Sequence, residues 1–106
     1  MQYGLKDTDI QKIKQVFASY KEIEQVVIYG SRAKGNYKLA SDIDLTLKGE
    51  GLDLALQYRI EDDLDDLLLP YKMDISIFRR ISNLDLIEHI NRFGKVFYIK
   101  DTNIML

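Results

Sequence analysis

The 106-residue sequence has no cysteine, one proline (Pro70) and one histidine (His89). The absence of cysteine excludes a disulfide framework and any metal site built from thiolates. No apolar run approaches the ~20 residues that a membrane-spanning helix needs. The first residues also lack the basic and then apolar pattern of a signal peptide. We therefore expect a cytoplasmic protein that has no association with a membrane.

Positive and negative charges nearly cancel, with a net charge of −2 and a pI of about 5.3. Nonspecific binding to nucleic acid needs a dense basic surface, so direct nucleic-acid binding is not expected. Hydrophobic residues make up 46% of the chain and charged residues 30%, which is typical of a globular protein. The length suits one domain, which we expect to span residues 1–106.

Short helices and strands alternate along the chain. Apolar residues at helical spacing predict helices over residues 7–20, 52–69 and 82–93, the second of them ended by Pro70. The segments "QVVIYG", "DIDLTLK", "YKMDISIF" and "KVFYIK" are rich in β-branched and aromatic residues and predict four strands. This order predicts an α/β (α+β) fold in which a mixed sheet of about four strands is flanked by helices.

Two aspartates stand in the alternating segment "DIDLTLK", and their spacing is informative. Asp42 and Asp44 leave the same face of a strand, about 7 Å apart at their Cα atoms. Carboxylates this close repel each other unless a proton or a cation neutralises them, and oxygen ligands suit Mg²⁺. Asp74 joins them if the strand "MDISI" lies beside the first. Three carboxylates can hold two Mg²⁺ ions, the arrangement used in phosphoryl and nucleotidyl transfer.

A glycine and a serine follow the first predicted strand. Gly30 allows a sharp turn and a close approach to a ligand, and backbone N–H groups at the start of a helical turn attract phosphate. The Ser31 hydroxyl adds a donor. Arg32 and Lys34 either offset the charge of a triphosphate or lie with Lys38 in a solvated loop. Ser41 either orients the second strand or contacts a phosphate.

The stretch "GSRAKGNYKLASDIDL" resembles the signature of the DNA polymerase β-like nucleotidyltransferase superfamily. More narrowly, it resembles the minimal nucleotidyltransferase (MNT) group, which includes antitoxins that pair with HEPN proteins. The third carboxylate of the family falls on Asp74, by its position in the next strand. The resemblance covers roughly residues 7–100. The matching positions are Gly30, Ser31, Ala33, Gly35, Ser41, Asp42, Asp44 and Leu45.

The resemblance implies a polymerase β-like fold and a Mg²⁺-dependent reaction. A nucleoside monophosphate, expected to be AMP from ATP, is transferred to a hydroxyl group and pyrophosphate is released. Asp42 and Asp44 would bind both Mg²⁺ ions, and Asp74 would bind the catalytic ion and help to deprotonate the hydroxyl. Minimal members form complexes with an all-helical HEPN protein. In some toxin–antitoxin pairs the MNT antitoxin adds AMP to a tyrosine of the HEPN toxin, so a HEPN partner is implied here.

Two other functions remain open from the sequence. The chain could be a non-catalytic subunit that binds and neutralises its partner, or it could modify a small molecule such as an aminoglycoside. It leaves no residues for a domain that grips a small acceptor, which favours a protein acceptor or a second subunit. Three further features are interpreted as follows: the acidic run at 61–66 as a solvated helix face, His89 as a partly buried structural residue, and the apolar end at 104–106 as a segment that is disordered or docks on a partner or second copy.

Overall fold

A computed structural model describes residues 1–101, in which four strands form one sheet and four α-helices flank it. The apolar segment at 104–106 lies outside the described residues. The elements are α1 Asp7–Ala18, β1 Gln25–Tyr29, α2 Gly30–Lys34, β2 Ile43–Lys48, α3 Leu54–Asp65, β3 Met73–Ile77, the 3-10 turn Phe78–Arg80, α4 Leu84–Phe93 and β4 Lys95–Ile99.

The strands lie in the order β3-β2-β1-β4. β1 pairs antiparallel with both β2 and β4, whereas β2 and β3 are parallel. A parallel pair needs a long crossover connection, and α3 lies in the segment that joins these two strands. The prediction of a mixed four-stranded sheet flanked by helices is therefore confirmed.

The main core lies between one face of the sheet and helices α1 and α3. It includes Phe17 of α1, Ile28 and Leu45 of the two central strands, and Ile60 of α3, all buried. A smaller cluster on the opposite face joins Val27 and Tyr29 of β1 to Ile90 of α4. Because neighbouring residues of a strand face opposite sides, Asp44 lies on this second face of the sheet, next to Leu45 of the main core.

Helix α3 ends earlier than the sequence predicts. It stops at Asp65 rather than just before Pro70: residues 66 and 67 form a turn, and Leu68 after them has a φ of 56°, which is not helical. Leu68 is consequently 88% exposed, although its spacing predicts a core position. Most of the acidic run is exposed, as predicted for a solvated face. Within residues 1–101, none of the helices has the length and apolar character needed to cross a membrane.

Candidate active site

Asp44 and Asp74 lie side by side on neighbouring parallel strands. Asp44 of β2 is the direct register partner of Asp74 of β3, and on its other side it pairs with Tyr29 of β1. Partners in register project from the same face of the sheet, so both carboxylates leave that face together. The expectation that the third strand lies beside the second is thus confirmed. Asp42 lies one residue before β2, which begins at Ile43.

The charges at this site repel one another. The pKa of Asp44 is raised first by burial, then by the negative charges of Asp74 and Asp42, while nearby His89 lowers it. The pKa of Tyr29 is likewise raised by burial and by the charges of Asp44 and Asp74, against a hydrogen bond with Ser76 that lowers it. A cation bound between these three carboxylates would reduce the electrostatic repulsion among them.

Gly30 brings the predicted phosphate-binding turn directly against Asp44. It follows β1 as the first residue of α2 and has a φ of 76°, which favours glycine. A Cβ atom added to Gly30 would overlap the Oδ2 atom of Asp44. The absence of a side chain therefore allows the carboxylate to lie over the backbone of the turn. Ser31, the next residue, is partly exposed beside it.

The residues present fit Mg²⁺ by their chemistry, because carboxylate oxygens are the ligands that this ion prefers. The sheet fixes two of them, Asp44 and Asp74, in register. In the part of the chain that the structure describes, no group of three or more acidic or histidine side chains is already arranged to hold a metal ion. The three acids are therefore close enough for their charges to interact, but their side chains do not form a preformed set of metal ligands.

Arg32 does not lie in a solvated loop, and that prediction is wrong. Its side chain is only 2% exposed. Nε and Nη2 donate to the carbonyl of Ser41 at 3.1 and 2.9 Å, Nη1 donates to the carbonyl of Tyr3 at 2.8 Å, and Nη2 also donates to that of Leu39 at 3.2 Å. Because these bonds occupy the guanidinium, we assign it to holding the loop that leads to Asp42 rather than to a triphosphate.

Two tyrosine rings complete the surroundings of Arg32. Its guanidinium carbon lies 5.3 Å from the ring centre of Tyr37 and 5.4 Å from that of Tyr71, within the range of cation–π attraction. Lys34, by contrast, is exposed, and its Nζ lies 4.9 Å from the ring centre of Phe93. Of the two cations in this short helix, only Lys34 is on the surface.

Ser41 takes part in the same loop through both its backbone and its side chain. Its carbonyl accepts from Arg32, and its Oγ accepts from the N–H of Lys38 at 2.8 Å. Both bonds lie within the segment before β2, and a role of Ser41 in orienting the second strand stays a prediction. A contact of Ser41 with phosphate stays a prediction.

His89 is the residue whose connection to the site the sequence missed. It is half-buried on α4, and its Nε2 accepts a hydrogen bond from the N–H of Gly30 at 3.3 Å. Its ring packs edge-on against Tyr29 at 6.2 Å and tilted against Phe93 at 5.3 Å. The interpretation as a partly buried residue is correct, but nothing in the sequence indicates a partner 59 residues away.

Comparison with known proteins identifies the family. Residues 11–103 match the family model described as "Polymerase beta, Nucleotidyltransferase". A search of proteins with curated descriptions finds no match.

Solved structures with the same fold include toxin–antitoxin complexes. A toxin–antitoxin structure with AMP-PNP matches with a TM-score of 0.68 and 19% identity, over 93% of this chain and 77% of that one. The Shewanella oneidensis complex of a tri-AMPylated HEPN toxin with its MNT antitoxin matches with a TM-score of 0.67 and 16% identity, over 93% and 76%. A nucleotidyltransferase homologue from Sulfolobus solfataricus matches with a TM-score of 0.53 and 17% identity, over 100% and 96%. The fold is therefore that of polymerase β-like nucleotidyltransferases.

Proposed function

The chain belongs to the polymerase β nucleotidyltransferase family, and we propose that it transfers AMP from ATP to a hydroxyl group of a HEPN-type helical partner, as a toxin–antitoxin antitoxin would. One observation carries this proposal. Asp44 and Asp74 are paired in register, and the Gly30–Ser31 turn lies directly against Asp44. The acids that would hold metal-bound phosphate and the turn that would bind phosphate thus lie at the same end of the sheet.

The residues of the site would divide the work as follows. The N–H and Oγ groups of Ser31 donate to phosphate oxygens of ATP. Asp42, Asp44 and Asp74 would hold two Mg²⁺ ions, which when bound neutralise phosphate charge and polarise the reacting bonds. The acceptor oxygen forms a bond to the α-phosphorus as the bond from that phosphorus to the bridging oxygen breaks, and pyrophosphate leaves. The proton of the acceptor hydroxyl passes to a carboxylate oxygen of Asp74.

A protein acceptor is supported by the openness of the site. Asp74 is exposed on β3, an edge strand of the sheet, so a second protein can reach it without displacing part of this chain. One structure with the same fold contains an MNT antitoxin bound to a HEPN toxin that carries AMP. A tyrosine of such a partner is the acceptor that we propose.

Radiolabelled ATP tests the reaction. The protein and a helical protein encoded beside it are incubated with Mg²⁺ and ATP labelled at either the α- or the γ-phosphate. We expect only α-label on the partner, and none with Asp42→Asn. Asp62→Asn, an exposed acid on α3, is the matched control and should remain active. Transfer of γ-label would indicate a kinase and contradict the proposal.

Neutralisation without turnover is the second candidate function. It needs only the exposed surface around Asp74 for contact with a partner and no bound metal. If Asp42→Asn and Asp44→Asn still silence the partner and still form the complex, binding alone explains the effect. Loss of silencing while the complex persists supports the transferase.

A further inference from the structure

We propose that His89 is a positioning residue, which holds the Gly30–Ser31 turn in the conformation that receives the triphosphate. This inference rests on the proposed function, because the turn needs a fixed shape only if a ligand binds there. His89 would not touch the reacting atoms. Its effect would pass through the backbone of Gly30.

The contact between His89 and Gly30 joins two elements that are far apart in sequence. Gly30 lies at the junction of β1 and α2, in a left-handed conformation with a φ of 76°. Glycine has more backbone freedom than any other residue, so a fixed conformation at this position needs contacts that hold the backbone itself. The Nε2 atom of His89 accepts the N–H of Gly30 at 3.3 Å. This bond ties the first residue of the turn to α4.

The histidine ring is itself held in place. Tyr29 contacts its ring edge-on and Phe93 contacts it at a tilt, with ring centres 6.2 and 5.3 Å away. Phe93 is one helical turn after His89 on α4, so the two side chains lie on the same face of that helix. An acceptor fixed by two rings can hold a backbone amide in one orientation.

The same bond determines which groups of the turn are free for a ligand. The N–H of Gly30 already donates to His89 and is not available to a phosphate. The next residue, Ser31, offers both its N–H and its Oγ as donors. Gly30 would therefore support nucleotide binding through its conformation and Ser31 through direct contact.

Two substitutions at position 89 separate hydrogen bonding from packing. His89→Gln keeps an acceptor near the position of Nε2 but removes the ring, whereas His89→Phe keeps the ring and removes the acceptor. We expect the Kd for Mg²⁺–ATP, measured by calorimetry at pH 8, to stay within about twofold in the glutamine variant. In the phenylalanine variant it should rise about three- to tenfold, the usual effect of one lost hydrogen bond. In the presence of the partner, KM for ATP should rise in the same variant with kcat nearly unchanged.

The reverse order of affinities would show that ring packing matters, and would overturn the inference. Equal affinities in both variants and the wild type, or equal losses in both variants, would also overturn it.

Hydrogen exchange of the Gly30 amide, measured by NMR without nucleotide, is independent of the proposed function. Protection should be lost in His89→Phe and kept in His89→Gln, and unchanged protection in the phenylalanine variant overturns the inference. If the wild type fails to bind Mg²⁺–ATP at all, the proposed function is contradicted, and the exchange result still decides whether His89 holds the turn.

Discussion

Replacing Arg32 with methionine removes a buried group that joins the start of the chain to the loop before Asp42 through three backbone carbonyls. The guanidinium donates to the carbonyls of Tyr3, Leu39 and Ser41. Methionine fills much of the same volume but cannot donate a hydrogen bond, so the three carbonyls lose their partner. Ser41 directly precedes Asp42, and the loss would loosen the loop that carries the first acid of the site.

The size of the effect follows from these contacts. A buried polar group left without a partner costs about 1–3 kcal/mol. Leu39 is exposed and Tyr3 is half-buried, so water can replace part of the loss at their carbonyls. We therefore expect the free energy of unfolding to fall by about 3 kcal/mol, the lower end of the sum for three groups. For a domain of this size, that lowers Tm by roughly 12–24 °C.

Thermal unfolding followed by circular dichroism measures this change. Lys34→Met is the matched control, because it removes the same charge from the same short helix but from an exposed side chain; its effect should stay within about 0.5 kcal/mol. An Arg32→Met protein with unchanged Tm and weakened Mg²⁺–ATP binding would show that Arg32 serves the ligand rather than the loop. That result would refute the role assigned to it here.

Three further predictions concern the site and its supports. Gly30→Ala should lower stability by more than the about 1–2 kcal/mol expected from a left-handed alanine, because the new Cβ would also overlap Asp44. Gly35→Ala is the control: Gly35 has a φ of 88° and no atom within 4 Å of an added Cβ, so this variant should lose only the backbone strain. Equal losses of the two variants in thermal unfolding would contradict the contact with Asp44. Asp44→Asn should raise Tm at pH 7 without Mg²⁺, because the raised pKa of Asp44 makes wild-type stability fall as the pH rises above 3.8 and through the folded-state pKa. A wild-type Tm that rises over that range, while the Tm of the variant does not, would contradict this prediction. Asn83→Ala removes the side-chain cap of α4 and should cost about 1 kcal/mol in urea unfolding, whereas Ser82→Ala should change little.

The helices, the strands and the face of each strand that carries the acids follow from local patterns in the sequence. Period-two alternation in "DIDLTLK" and "MDISI" fixes which side chains share a face, and the short alternating elements indicate a mixed sheet. Neither pattern states which strands are neighbours. The register of Asp44 with Asp74 was predictable only as a condition, because it depends on the crossover through α3.

The surroundings of the site were less predictable, because they depend on contacts between distant segments. Arg32 is charged and lies between turn residues, which is typical of a solvated position, but its acceptors come from the start of the chain and from a later loop. His89 likewise finds its partner only through packing of α4. The sequence predicts that α3 continues to just before Pro70, but the left-handed conformation of Leu68 does not allow the helix to continue that far.

Asp74 also disfavours an alignment in which β3 is shifted by one residue against β2. A shift of β3 by one residue would turn Asp74 to the side of the sheet that packs on α1 and α3, and would turn Ile75 outward. Burying an unpaired carboxylate there costs several kcal/mol. The acid that we place in the reaction thus also selects the alignment in which the reaction is possible. A molecule with the shifted register would lose stability together with activity. Few of the folded molecules should therefore have this register and lack activity.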